Sequence, residues 1–223
     1  MKPYVVAIDG PAGAGKSTLA KRLAKELNIA YIDTGAMYRA CALFAIESGI
    51  NPKVDSQKLR ELLADAELDF RPVKGEQHIF LNDVDVSREI REPHISTGAS
   101  DISALPFVRD LLVEKQREMA NGKSVLMDGR DIGTNVFPNA KIKIFLTAKA
   151  EERAKRRFIE LQEKGDSVSY ETVLSDMIAR DENDKNRAYA PLKQAEDAWL
   201  CDTTELTFEE SFQKLLTYIQ GKL

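Results

Sequence analysis

Gly10, Gly15, Lys16 and Ser17 stand in the order G-x-x-x-x-G-K-S, the spacing of a phosphate-binding loop. The glycines let the backbone curl until successive N–H groups face inward, and a helix amino terminus adds partial positive charge. Lys16 then reaches the β- and γ-phosphates of a nucleoside triphosphate, and Ser17 offers a hydroxyl to Mg²⁺. Gly10, Pro11, Ala12, Gly13, Ala14, Gly15, Lys16, Ser17 and Thr18 form the expected contact set for ATP. The flanks agree: an apolar run at 4–8 precedes the loop, and Leu19, Leu23 and Leu27 recur every fourth residue after it. A merely structural glycine turn accounts for neither the lysine nor the hydroxyl. The loop does not identify the phosphoryl acceptor, because GTPases, helicases, transport ATPases and small-molecule kinases share it.

Two more clusters follow strands. DTGAMYR at 33–39 places Thr34 and Arg39 at the start of an otherwise apolar helix. They are either an N-cap and a solvated cation, or a ligand contact and a clamp for an acceptor phosphate. DGRDIGT at 128–134 follows the strand-like SVLM, and reads either as a salt-bridged turn or as part of a site. Farther on, Arg153, Arg156 and Arg157 share a helix face by spacing, as do Arg180, Asp184 and Arg187. Such faces are commonly just solvated. Around a phosphoryl group they would offset the repulsion between donor and acceptor oxygens, with Arg157, Arg180 and Arg187 expected to touch phosphates.

The elements that must position these residues are mostly readable. Strands are expected at 4–8, 30–32, 124–127, 142–146 and 199–201, alternating with helices at 36–46, from 106, from about 150, at about 170–185 and at 208–219. That rhythm implies a parallel sheet covered on both faces. The middle breaks it: 69–73 and 78–86 alternate around Lys74-Gly75-Glu76, and Asn82-Asp83 marks a second hairpin, so 51–95 reads as an antiparallel insertion. The chain has 223 residues and a net charge of −4. It lacks the basic excess usual in nucleic-acid binders, so any basic site is local. No apolar run is long enough for a membrane helix, and no secretory signal is visible ahead of the first strand, which implies the cytoplasm by default. Cys41 and Cys201 read as packed thiols, and His78 and His94 carry no zinc spacing.

Taken together, IDGPAGAGKST, YIDTGAMYR, GASDISALPFVR, DGRDIGT, KIFLTAKAEERAKRR and RDENDKNRAYAPL resemble the bacterial cytidylate kinases, a family of P-loop nucleoside monophosphate kinases, from Ile8 to Leu192. The resemblance implies an α/β three-layer P-loop fold with a small antiparallel β/α insertion and a short lid. Residues 1–34 and 124–223 would be the core, with the lid at about 153–187. Residues 35–123 would form the monophosphate-binding region. It implies ATP and Mg²⁺ as co-substrate and metal, CMP and dCMP as acceptors, and a monomer. Ser100, Arg109 and Asp131 would read the base, since cytosine presents an amino donor to a carboxylate where uracil presents a carbonyl. Arg39 and Arg130 would clamp the acceptor phosphate, and Thr34, Arg180, Asp184 and Arg187 would contact the acceptor, Asp184 through its sugar or by orienting arginines. The antiparallel insertion and GASDISALPFVR argue against an adenylate or UMP/CMP kinase, and the GTPase base-reading N-K-x-D is absent.

Overall fold

The computed structural model describes residues 2–163 and 165–223, so Met1, and Lys164 of the expected lid loop, lie outside the described residues. The first apolar run folds as β1 (Val5–Asp9), parallel to both β6 (Val125–Gly129) and β7 (Ile142–Thr147). Strand β8 (Trp199–Asp202) runs parallel to β7 at one edge, and β2 (Ala30–Asp33) lies beside β6 at the other, giving the order β2-β6-β1-β7-β8. A strand at the middle of such a sheet has no wet face. This is why Val6, Ala7 and Ile8 are all fully buried and why the run shows no polar alternation.

Helix α1 (Lys16–Glu26) buries Leu19, Ala20, Leu23 and Ala24 on Val6, Ile8, Leu126 and Ile144 of the sheet. The closing helix α8 (Phe208–Lys222) adds Phe212, Leu215 and Ile219 to the same core, and a capping box of Thr207 and Glu210 fixes its start. Helices α6 (Ala150–Glu163) and α7 (Tyr170–Asn186) make a smaller core of Ala154, Leu161, Val173 and Met177, with Phe158 edge-on to Tyr170. These elements belong to one compact unit, Met1–Tyr31 with Ala120–Leu223.

Ile32–Met119 forms the second unit. It holds α2 (Thr34–Glu47), α3 (Gln57–Ala64), an antiparallel sheet of β3 (Leu68–Val73), β4 (Glu76–Leu81) and β5 (Val84–Asp85), α4 (Pro93–Ile102) and α5 (Pro106–Ala120). The hairpins turn at Lys74-Gly75 and Asn82-Asp83. All four residues have positive φ, the geometry that matches the twist of paired strands. A 3-10 turn, Glu89–Arg91, joins the small sheet to α4, pinned by the fully buried Ile90. The two cysteines are free thiols, Cys41 buried in α2 and Cys201 in β8. Among the described residues no helix is long and apolar enough to cross a membrane.

Candidate active site

The site begins where β1 ends. Gly10 has φ of 151°, and a Cβ there would lie 1.9 Å from the Leu146 carbonyl oxygen of β7, so only glycine passes. The loop then leads into α1, whose N-cap is Gly15 and whose first turn carries neither an acidic residue nor a capping side chain. Its leading amides are therefore available to an anion. Lys16 folds back across the loop, its Nζ donating to the Pro11 carbonyl at 2.7 Å. Burial, with the Arg130 guanidinium next, pulls Lys16 down to about 7.

The parallel register sets Asp128 opposite Ile8 and Gly129 opposite Asp9, so the carboxylates of Asp9 and Asp128 leave the sheet on opposite faces. On one face, Asp128 accepts the Ser17 hydroxyl at 2.8 Å and the Tyr31 hydroxyl at 2.8 Å. A hydroxyl and a carboxylate so placed are the hard oxygen donors a Mg²⁺-type cation prefers. No cluster of three or more His, Cys, Asp or Glu able to hold a metal exists among the described residues, so the fit is to a cation completed by phosphate oxygens and water. On the other face, Asp9 accepts the amides of Ile132 at 2.8 Å and Gly133 at 2.7 Å. Burial pushes Asp9 up to about 7 against those two bonds. The chain after Asp131 forms a π-helical turn, Ile132–Val136, which the sequence pattern does not announce.

Beside this turn the expected charges of α7 gather. Arg130 Nε donates to Asp184 at 2.8 Å. Arg187 lies 3.8 Å from Asp184 and 3.6 Å from Asp131, whose second oxygen accepts Asn135 at 3.0 Å. Burial alone would raise Asp184, but Arg130 first, then Arg180 and Arg187, hold it below the usual carboxylate range. Arg130, Asp131, Arg180, Asp184 and Arg187 are thus one electrostatic group. The three arginines of α6 are not. Arg153, buried, donates to the Ala12 carbonyl of the loop at 2.7 Å and pairs with Asp181 at 2.6 Å. Arg156 donates to the Thr203 carbonyl, and Arg157 pairs with Glu160 one turn on, partly exposed. Shared spacing put them on one side of the helix, but only Arg153 has the phosphate loop above it.

In the second unit, Asp33 rather than Thr34 caps α2, accepting the Ala36 amide at 2.9 Å, and Thr34 is buried as the first helical residue. Arg39 lies 3.6 Å from Asp33. Ser100, on α4, and Arg109, on α5, come close through the turn between those helices: Ser103 donates to the Ser100 carbonyl and Arg109 donates to the Ser103 carbonyl. Arg109 is 1% exposed, with Tyr38 as a ring partner at 5.4 Å. Sequence reasoning gave Asp9, Tyr31 and Asp181 no role, and singled out Asp128 and Arg153 only as members of their clusters, without the contacts they make here. For Asp9 and Asp128 a signal exists, a carboxylate closing an apolar strand.

The cytidylate kinase family model matches residues 6–221. A cytidylate kinase of Caldicellulosiruptor bescii is 52% identical over 216 residues, covering 97% of this chain and 95% of that protein. One from Bacteroides fragilis is 46% identical over 224 residues, covering 99% and 98%. The fold is similar to that of a solved shikimate kinase from Bacteroides thetaiotaomicron, with a TM-score of 0.50, 14% identity, and coverage of 98% and 96%. That last likeness concerns the fold alone.

Proposed function

Because this chain belongs to the cytidylate kinase family, whose members transfer a phosphoryl group from ATP to CMP, we propose the following division of labour among its residues. The amides of Gly10, Pro11, Ala12, Gly13, Ala14 and Gly15, with Lys16, Ser17 and Thr18, hold the ATP phosphates. Ser17 and Asp128 would hold Mg²⁺, which would supply positive charge to offset that of the phosphates. An oxygen of the acceptor phosphate attacks the γ-phosphorus in line while the bond to the β-bridging oxygen breaks, leaving ADP and CDP. That phosphate is already an anion at neutral pH, so no strong general base is needed.

Arg39 and Arg130 grip the acceptor phosphate. Lys16, Arg157, Arg180 and Arg187 offset the charge that builds in the transition state, a contribution of this type being worth ~10³-fold or more. For Arg157 this requires leaving Glu160. Ser100, Arg109 and Asp131 read cytosine, with Thr34 and Asp184 contacting the nucleotide. dCMP is a second acceptor, the residues at about 153–187 act as a lid that excludes water, and the chain works as a cytoplasmic monomer.

One observation carries this reading: the phosphate loop begins at the same level of the sheet as Arg130 and Asp131, whose charges are organised by Asp184 of α7 and by Arg187, which caps that helix. A coupled ADP-release assay with CMP, dCMP, UMP, AMP and shikimate tests it. CMP and dCMP should be the best acceptors; turnover of shikimate or AMP without turnover of CMP would overturn it.

A further inference from the structure

The antiparallel insertion has so far been given no chemistry, yet its last turn delivers a charge to the start of α2. Asp33 is 5% exposed, and its two carboxylate oxygens have different tasks. Oδ1 accepts the Ala36 amide. Oδ2 stands 3.6 Å from Arg39 and 3.6 Å from Arg91. Two guanidiniums thus flank one carboxylate oxygen from opposite ends of the sequence segment. At 3.6 Å neither contact is a short hydrogen bond, so both are electrostatic pairings open to rearrangement.

Two guanidiniums and one carboxylate meet at this corner, and the amino terminus of α2 adds positive charge to it. Gly35 keeps it open: a Cβ there would sit 3.5 Å from both terminal nitrogens of Arg39 and 3.2 Å from Asp33 Oδ1. Arg91 is not mobile ballast on a loose loop. Its 3-10 turn is fixed by Ile90, fully buried, and by amides of Ile90, Arg91 and Glu92 bonded to the carbonyls of Val86, Arg88 and Glu89. Its side chain is nevertheless 56% exposed, so a ligand can reach it.

We propose that Arg91 is a second phosphate-holding residue of the acceptor site, acting beside Arg39 on the phosphomonoester of the incoming nucleotide. The proposal rests on the acceptor role assigned to Arg39. A phosphate dianion suits the corner better than a neutral group, because it offers oxygens to both guanidiniums at once. Asp33 holds both arginines in the absence of ligand and limits their repulsion. The insertion thereby acquires a task, since it builds the turn that presents Arg91.

Calorimetric titration with CMP and with cytidine, which lacks the phosphate, tests this on the wild type, Arg91→Ala and Arg91→Lys. Arg91→Ala should weaken CMP binding roughly 10-fold or more, as loss of a charge-assisted contact does, and leave cytidine binding unchanged. Arg91→Lys should recover part of the loss, and the KM for ATP should not move. Unchanged CMP affinity, or equal weakening for CMP and cytidine, would overturn the role of Arg91. A wild type that binds cytidine as tightly as CMP would instead overturn the acceptor-phosphate reading, and Arg91 with it.

Discussion

The hydroxyl of Ser17 donates to the carboxylate of Asp128 at 2.8 Å, joining the first turn of α1 to the end of β6. Tyr31 donates to the same carboxylate. Asp128→Asn keeps the shape but removes the charge that would organise a divalent cation. It should lower kcat by about 10²-fold or more and raise the Mg²⁺ concentration needed for half-maximal rate. Tyr31→Phe, which removes one neutral bond, should cost about 1 kcal/mol of stability and leave the Mg²⁺ dependence alone. An Asp128→Asn enzyme with wild-type Mg²⁺ titration would disprove the assignment.

Asp131 supplies the next test. Its carboxylate is held by Asn135 on one oxygen and approached by Arg187 on the other, which fixes the orientation of the charge proposed to meet the amino group. Asp131→Asn offers both a donor and an acceptor. The ratio of kcat/KM for CMP over UMP should fall by about 10- to 100-fold, the scale of one mismatched base-edge contact. A ratio that stays at the wild-type value would remove Asp131 from base reading.

The pH dependence of stability follows from Lys16 and Asp9. Lys16 is lowered to about 7 in the folded chain, so its contribution is present above its ordinary value of 10.5 and is lost as pH falls through 7. Asp9 is raised to about 7, so its contribution is present below its ordinary 3.8 and is lost as pH rises through 7. The contributions of these two groups taken alone are therefore smallest near neutrality. Urea unfolding of wild type and Lys16→Met from pH 6 to 10 reads this directly: the wild-type midpoint should gain on the variant as pH rises. Parallel profiles would contradict it.

Arg153 and Asp181 form a buried pair against the phosphate loop, with side chains 5% and 7% exposed. Asp181 also accepts the Ala12 amide at 3.3 Å. Arg153→Ala leaves a buried carboxylate without its main cation and should cost roughly 3–5 kcal/mol. Asp181→Asn and the double variant complete a thermodynamic cycle in urea. Additive effects would show that the pair is not coupled.

The phosphate loop was legible because its chemistry is local: glycines, lysine and hydroxyl occupy consecutive positions between a buried strand and a helix. The strands of the main sheet were legible because burial on both faces leaves unbroken apolar runs, as at Val6 to Ile8. The hairpins announced themselves through Lys74-Gly75 and Asn82-Asp83. Ser100 and Arg109 gave no pattern of their own and were found only through the family resemblance. The division of labour among Arg153, Arg156 and Arg157 was hidden, because spacing gives a face but not what packs on it. Asp181 meets Ala12 and Arg153 only through the tertiary fold, and Arg91 meets Asp33 only after the whole insertion has turned back. The π-helical turn after Asp131 was likewise invisible, since the hydrogen bonds that the Ile132 and Gly133 amides donate to Asp9, at the end of another strand, set its start.

The chain's two thiols fall one to each compact unit, Cys41 in Ile32–Met119 and Cys201 in the unit that carries the parallel sheet. Burial pushes Cys41 up to about 12 and raises Cys201 as well, so neither reacts as a thiolate while its surroundings stay closed. A disulfide-exchange reagent therefore modifies each sulfur only during an opening of the unit that encloses it. With Cys41→Ala and Cys201→Ala variants, the two labelling rates become separate clocks for the two halves of the molecule, and nucleotides added one at a time reveal which clock each one slows.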